Sequence, residues 1–81
     1  FLQKKKVDVN LYPNPANNWV TVDISDYSNI EIYDMWGKMI LNSKFPNTNR
    51  FNTSNWNNGI YLVNIFLESG ESIRKKLIIQ H

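Results

Sequence analysis

The chain has 81 residues, a net charge of +2 and no cysteine. At 42% hydrophobic and 20% charged it can fill one small core, and it is too apolar for a disordered tail. A disulfide framework and a thiolate metal site are excluded, the basic excess is too weak for a nucleic-acid stripe, and no apolar run nears the ~20 residues of a spanning helix.

Residues 1–6, with Lys4-Lys5-Lys6, read as a solvated linker remnant from a longer polypeptide, and residues 7–81 as one domain. Val7, Val9 and Leu11 alternate with Asp8 and Asn10, the pattern of a half-buried first strand. Tyr12-Pro13-Asn14-Pro15-Ala16 stops it. Each proline removes a backbone donor and forces the residue before it into extended geometry, so this segment is expected to be stiff and unable to pair along its length. In residues 19–24, Val20, Val22 and Ile24 point inward and Trp19 outward. Ser25-Asp26-Tyr27-Ser28 is turn chemistry, and residues 29–33 form a third strand with Ile30 and Ile32 inside.

Asp34-Met35-Trp36-Gly37-Lys38 is a tight hairpin connection with Gly37 at positive φ, leading into a strand through Met39, Ile40 and Leu41. The polar stretch that follows is anchored by Phe45, Phe51 and Trp56, with a short strand near Phe51. Residues 59–67 carry the longest β-branched and aromatic run. Tyr61, Val63, Ile65 and Leu67 share one face; Ile60, Leu62, Asn64 and Phe66 share the other. A strand apolar on nearly both sides belongs in the middle of a sheet. After a turn at Glu68-Ser69-Gly70-Glu71, residues 72–79 form the last strand. Lys75 falls there on the face of Ile73, Leu77 and Ile79, which requires a bulge or a snorkelling stem. About seven short strands and no helical periodicity predict an all-β antiparallel sandwich, with Val22, Ile32, Phe51, Tyr61, Val63 and Ile65 inside.

Chemistry is sparse. The single His81 reads as a frayed end rather than a catalyst, and no serine has a folded histidine to activate it. Asp8 with Asp23 as a carboxylate pair, or Asp23, Asp26 and Asp34 as metal ligands, lack a supporting spacing, so no catalytic, cofactor or metal residue is assigned. Trp19, Tyr33 and Trp36 either make a flat glycan platform or pack under loops.

Five stretches in register carry a resemblance: Leu11-Tyr12-Pro13-Asn14-Pro15-Ala16, Val20-Thr21-Val22, Ile32-Tyr33-Asp34-Met35-Trp36-Gly37-Lys38, Trp56-Asn57-Asn58-Gly59-Ile60-Tyr61-Leu62-Val63 and Lys76-Leu77-Ile78-Ile79. Their order resembles the C-terminal sorting domain of type IX (Por) secretion substrates of Bacteroidetes, with Tyr12, Pro13, Asn14, Pro15, Gly37, Gly59 and Tyr61 as motif residues. Trp56 stands where leucine is common, and Gln80-His81 where a basic residue is common. The resemblance implies an immunoglobulin-like fold of about seven strands without enzymatic activity. It also implies a covalently attached N-terminal cargo, an outer-membrane translocon and a sortase-like protease as partners, and passage from periplasm to cell surface. Translocon recognition is expected in Arg74, Lys75, Lys76, Leu77, Ile78 and Ile79, whose strand, at a sheet edge, would offer unpaired backbone groups and positive charge. The alternative is a carbohydrate-binding or spacer sandwich of a secreted enzyme.

Overall fold

The computed structural model describes residues 9–24, 27–44 and 49–81. Its strands are β1 (Asn10–Tyr12), β2 (Trp19–Asp23), β3 (Asn29–Tyr33), β4 (Met39–Lys44), β5 (Arg50–Asn52), β6 (Gly59–Phe66) and β7 (Ser72–Ile79). They form two sheets, ordered β1-β2-β5 and β4-β3-β6-β7, and every ladder between neighbouring strands is antiparallel. The chain is therefore the antiparallel sandwich that its alternation predicts. β6 is an interior strand, as its two apolar faces require.

Period-2 alternation decides which side chains fill the space between the sheets. Val20 and Val22 from one sheet meet Ile30, Ile32, Tyr61, Val63, Ile65, Leu77 and Ile79 from the other, and all are buried. Phe51, on β5, is buried with them, and Trp56 packs against the cluster. Tyr27, assigned to turn chemistry by sequence, is itself a core residue, so its short segment is pinned by a ring rather than being only a connection. Phe45, Asp8, Asp26 and the lysines of residues 4–6 lie outside the described residues.

Two details depart from the strict pattern. Between β3 and β4 the register shifts: Ile32 faces Leu41, while Tyr33 faces Met39, which leaves Ile40 as the extra residue of a bulge. In contrast, β6 and β7 pair without interruption from Gly59↔Ile79 to Phe66↔Ser72. No bulge turns Lys75 away, yet its side chain is exposed. Of the two routes open to it, only reaching out with the long stem remains.

Candidate recognition surface

Strand polarity sends four of the five sequence motifs to one end of the sandwich. Gly59, which opens β6, pairs with Ile79 near the end of β7, and Tyr33, which closes β3, pairs with Leu62. The turn at residues 34–38 therefore stands at the same pole as Asn57-Asn58-Gly59. Ala16 joins them through a parallel bridge to Ile79. Tyr61 ties the pole together from inside: its hydroxyl donates to the Asn57 carbonyl at 2.7 Å, and its ring lies 5.2 Å from that of Trp56. Burial, with a smaller contribution from the Asp34 charge, raises its pKa. The Tyr33 pKa is also raised, first because its hydroxyl donates to Glu31 Oε1 at 2.7 Å.

The proline-rich segment pairs with β7 after all, by an indirect route. Pro13 and Pro15 have no N–H, but the Asn14 side chain supplies what they lack. Its Nδ2 donates to the Lys76 carbonyl at 3.0 Å and its Oδ1 accepts from the Ile78 N–H at 3.0 Å. An amide side chain offers the same donor and acceptor as a peptide unit, so Asn14 acts as a surrogate strand residue. Ala16 continues with real backbone: its N–H donates to the Ile78 carbonyl at 2.7 Å and its carbonyl accepts from the Gln80 N–H at 2.8 Å. The alternation of two residues stripped of donors around one asparagine is the signal that could have disclosed this in the sequence.

This clasp redefines the expected edge. β7 does border its sheet, but the outward groups from the Lys76 carbonyl to the Gln80 N–H are occupied. What stays open among the described residues are the outward backbone groups of Ser72 and Arg74 and the N–H of Lys76, because antiparallel pairing turns alternate residues away from β6. Nor is Arg74-Lys75-Lys76 one patch. Arg74 and Lys76 lie on the outer face, opposite Asn64 and Leu62, while Lys75 lies on the face of Val63. Arg74 Nε donates to Asn64 Oδ1 at 3.1 Å. Leu77 and Ile79 are fully buried, so the folded strand presents Arg74, Lys75, Lys76 and half-buried Ile78.

His81 is held rather than frayed. Its N–H donates to Asn58 Oδ1 at 2.9 Å, and its ring nitrogens lie 2.6 Å from Asn17 Oδ1 and 2.6 Å from the Trp56 carbonyl. Three polar partners from two loops fix a residue that sequence position alone assigned to a loose end.

Of the carboxylates weighed for chemistry, Asp8 and Asp26 lie outside the described residues, and among the described residues no group of three His, Asp or Glu side chains could hold a metal ion. Asp23 ends β2 in one sheet; Asp34 follows β3 in the other, with its Oδ1 accepting from the N–H groups of Trp36 and Lys38, both at 2.9 Å. The aromatic platform is also divided: Trp19 projects from the three-stranded sheet under the Arg50 guanidinium, 4.4 Å from its ring, whereas Tyr33 projects from the four-stranded sheet on the opposite side. The surface that sequence reasoning missed is the outer face of that larger sheet. There Met39, Tyr33 and Leu62 are cross-strand neighbours, with Lys76 next to Leu62.

With this geometry in place, comparison with known proteins is direct. The family described as the secretion system C-terminal sorting domain matches residues 10–80, and the chain belongs to it. It is a type IX secretion sorting tail, and such a domain is not catalytic. The chain is 28% identical to the beta-agarase D of Zobellia galactanivorans, over 85% of its own length and 14% of that protein. It is 29% identical to the endo-acting ulvan lyase of Formosa agariphila, over 90% of its own length and 15% of that protein. In each case it spans about one-seventh of a much larger chain. The domain is thus the kind of tail that a cargo carries for export to the cell surface or the extracellular space.

Proposed function

We propose that residues 7–81 are the address by which a covalently attached cargo, joined through residues 1–6, crosses the periplasm and is passed through the type IX outer-membrane translocon. A sortase-like protease then removes the domain as the cargo is anchored. The observation that carries this is the family match over residues 10–80, on a chain whose motif residues serve one pole of a folded sandwich and supply no reactive constellation. Within this reading β7 takes part in recognition. Arg74, Lys75 and Lys76 offer charge, and the outward groups of Ser72 and Arg74 and the Lys76 N–H offer an open edge. Ile78 adds half-buried apolar surface, and Leu77 and Ile79 hold the strand in place from the core.

Export of a reporter fused to the full domain tests the proposal. The fusion is expected at the cell surface, and the reporter without residues 7–81 is expected in the periplasm. Surface delivery through the type IX pathway without the domain would refute the assignment. Lys75→Glu with Lys76→Glu is expected to change stability by no more than ~1–2 kcal/mol, because both side chains are exposed. Slowed export of that folded variant supports electrostatic guidance. Normal export removes the basic residues from the mechanism while leaving the sorting role intact.

A further inference from the structure

The outer face of the four-stranded sheet is divided along its length. Toward the turn at residues 68–71 its cross-strand row is Asn42, Glu31, Asn64 and Arg74. Toward the turn at residues 34–38 the row becomes Met39, Tyr33, Leu62 and Lys76, with Ile60 and Ile78 paired beyond. Met39, Ile60 and Leu62 are all exposed, and Trp36 at the adjoining hairpin tip is 92% exposed. Contiguous apolar surface on a small domain marks an interaction site more often than chance exposure does.

Two further observations favour a docking site over a leftover. The tip that carries Trp36 is ordered by its own backbone. Asp34 N–H donates to the Lys38 carbonyl at 2.9 Å, Gly37 N–H to the Asp34 carbonyl at 3.2 Å, and Asp34 Oδ1 accepts two more amides. An exposed indole on a rigid turn has already met much of its ordering cost before a partner arrives. Two cations at the edge of the patch are also available to a partner, while Glu31 and Asp34 keep their negative charge but have their oxygens occupied by neutral donors. Both carboxylate oxygens of Glu31 are engaged, by Tyr33 and Asn29, and Asp34 Oδ1 is taken by the turn. The ammonium groups of Lys38 and Lys76 form no ion pair or hydrogen bond among the described residues.

We propose that Trp36, Met39, Tyr33 and Leu62 form the surface that docks on the translocon, in an apolar hollow of a folded protein whose rim places carboxylates against Lys38 and Lys76. This rests on the sorting reading and adds to it the face that is read. A shaped protein partner suits the face better than a bilayer does, because Glu31 and its asparagine neighbours share that face and a flat lipid surface would desolvate them. Aromatic and apolar anchors at the centre, with charge at the rim, are the usual anatomy of such contacts.

The test uses the intact cargo protein with its tail and purified translocon in detergent. Trp36→Ser with Leu62→Thr is expected to weaken binding at least tenfold while the urea midpoint of the domain stays close to wild type. Should that pair unfold, Trp36→Ser alone, on the turn and outside the core, is expected to weaken binding at least threefold. Unchanged affinity in folded variants overturns the proposal, and if Lys75→Glu with Lys76→Glu then abolishes binding, sorting stands with β7 as its reader. Two other outcomes also overturn it. One is Trp36 fluorescence shifting to the blue on phosphatidylglycerol vesicles while translocon affinity ignores Trp36. The other is a dimer in sedimentation that Trp36→Ser abolishes. A wild-type tail that neither binds translocon nor is needed for export instead refutes the sorting reading itself.

Discussion

The larger sheet has two hairpin turns that solve one backbone problem in the same way and then diverge. In the first, Asp34 N–H reaches the Lys38 carbonyl at 2.9 Å and Gly37 N–H reaches the Asp34 carbonyl at 3.2 Å. In the second, Leu67 N–H reaches the Glu71 carbonyl at 2.8 Å and Gly70 N–H reaches the Leu67 carbonyl at 3.0 Å. Gly37 and Gly70 have φ of 82° and 94°, a region that favours glycine. The tips, however, are Met35-Trp36 in one and Glu68-Ser69 in the other. Because the second turn closes with a polar tip, the backbone does not require an indole at position 36. The apolar tip is therefore free to serve the docking proposed above.

The largest way to disturb the comparison is to remove what the two turns share. β6 pairs with both β3 and β7, and Val63 is its fully buried midpoint. Val63→Ala or Ile65→Ala leaves a cavity and is expected to cost about 2–4 kcal/mol in urea denaturation. In so small a domain hydrogen exchange at both turns should then rise together. If only one turn loosens, β6 is not the common support.

Next come changes that separate the turns. Asn14→Ala strips the Lys76 carbonyl and Ile78 N–H of their partner and should cost about 1–2 kcal/mol. Exchange is expected to rise at Ile78 and not at Gly70, and equal exchange at the two would contradict the surrogate-strand account. Asp34→Ala removes an acceptor for two amides and should cost about 1 kcal/mol, loosening the first turn alone. Asp34→Asn keeps an acceptor oxygen there and is expected to avoid most of that loss.

A pH titration reaches the same pole. The tyrosine hydroxyls of Tyr33 and Tyr61 are held neutral to higher pH in the fold than in the unfolded chain. Their raised pKa values give stability that is fully present below pH ~10 and is lost as pH rises through the folded values. Denaturation midpoints measured from pH 8 upward should be flat and then fall above pH ~10, alongside tyrosinate absorbance. A rise with pH in that range would contradict the burial of Tyr61.

Much of this architecture was legible because alternation is strict. Val20, Val22, Ile30, Ile32, Tyr61, Val63 and Ile65 follow from period 2 alone, and Gly37 and Gly70 mark the turns. What escaped the sequence were contacts between distant segments. The prolines flanking Asn14 hint at a surrogate peptide unit, but nothing local names Ile78 as its neighbour, or says that His81 will find Asn17, Asn58 and the Trp56 carbonyl. The run Arg74-Lys75-Lys76 looked like one cluster because a string has no faces; pairing sends Lys75 to one side and its neighbours to the other. The apolar end of the outer face was half-visible in Ile60 and Leu62. Only the register that sets Met39 and Tyr33 beside Leu62 makes it a surface.

In the docking proposed above, one set of residues folds the domain and another is read by the export machinery. Giving the first turn a tip like that of the second, by Met35→Glu with Trp36→Ser, separates them in one variant. Both side chains are exposed, so stability is expected to change by no more than ~0.5 kcal/mol, while surface delivery of a fused reporter falls severalfold. Normal delivery by the folded variant, or a loss of stability of about 2 kcal/mol, would contradict that division.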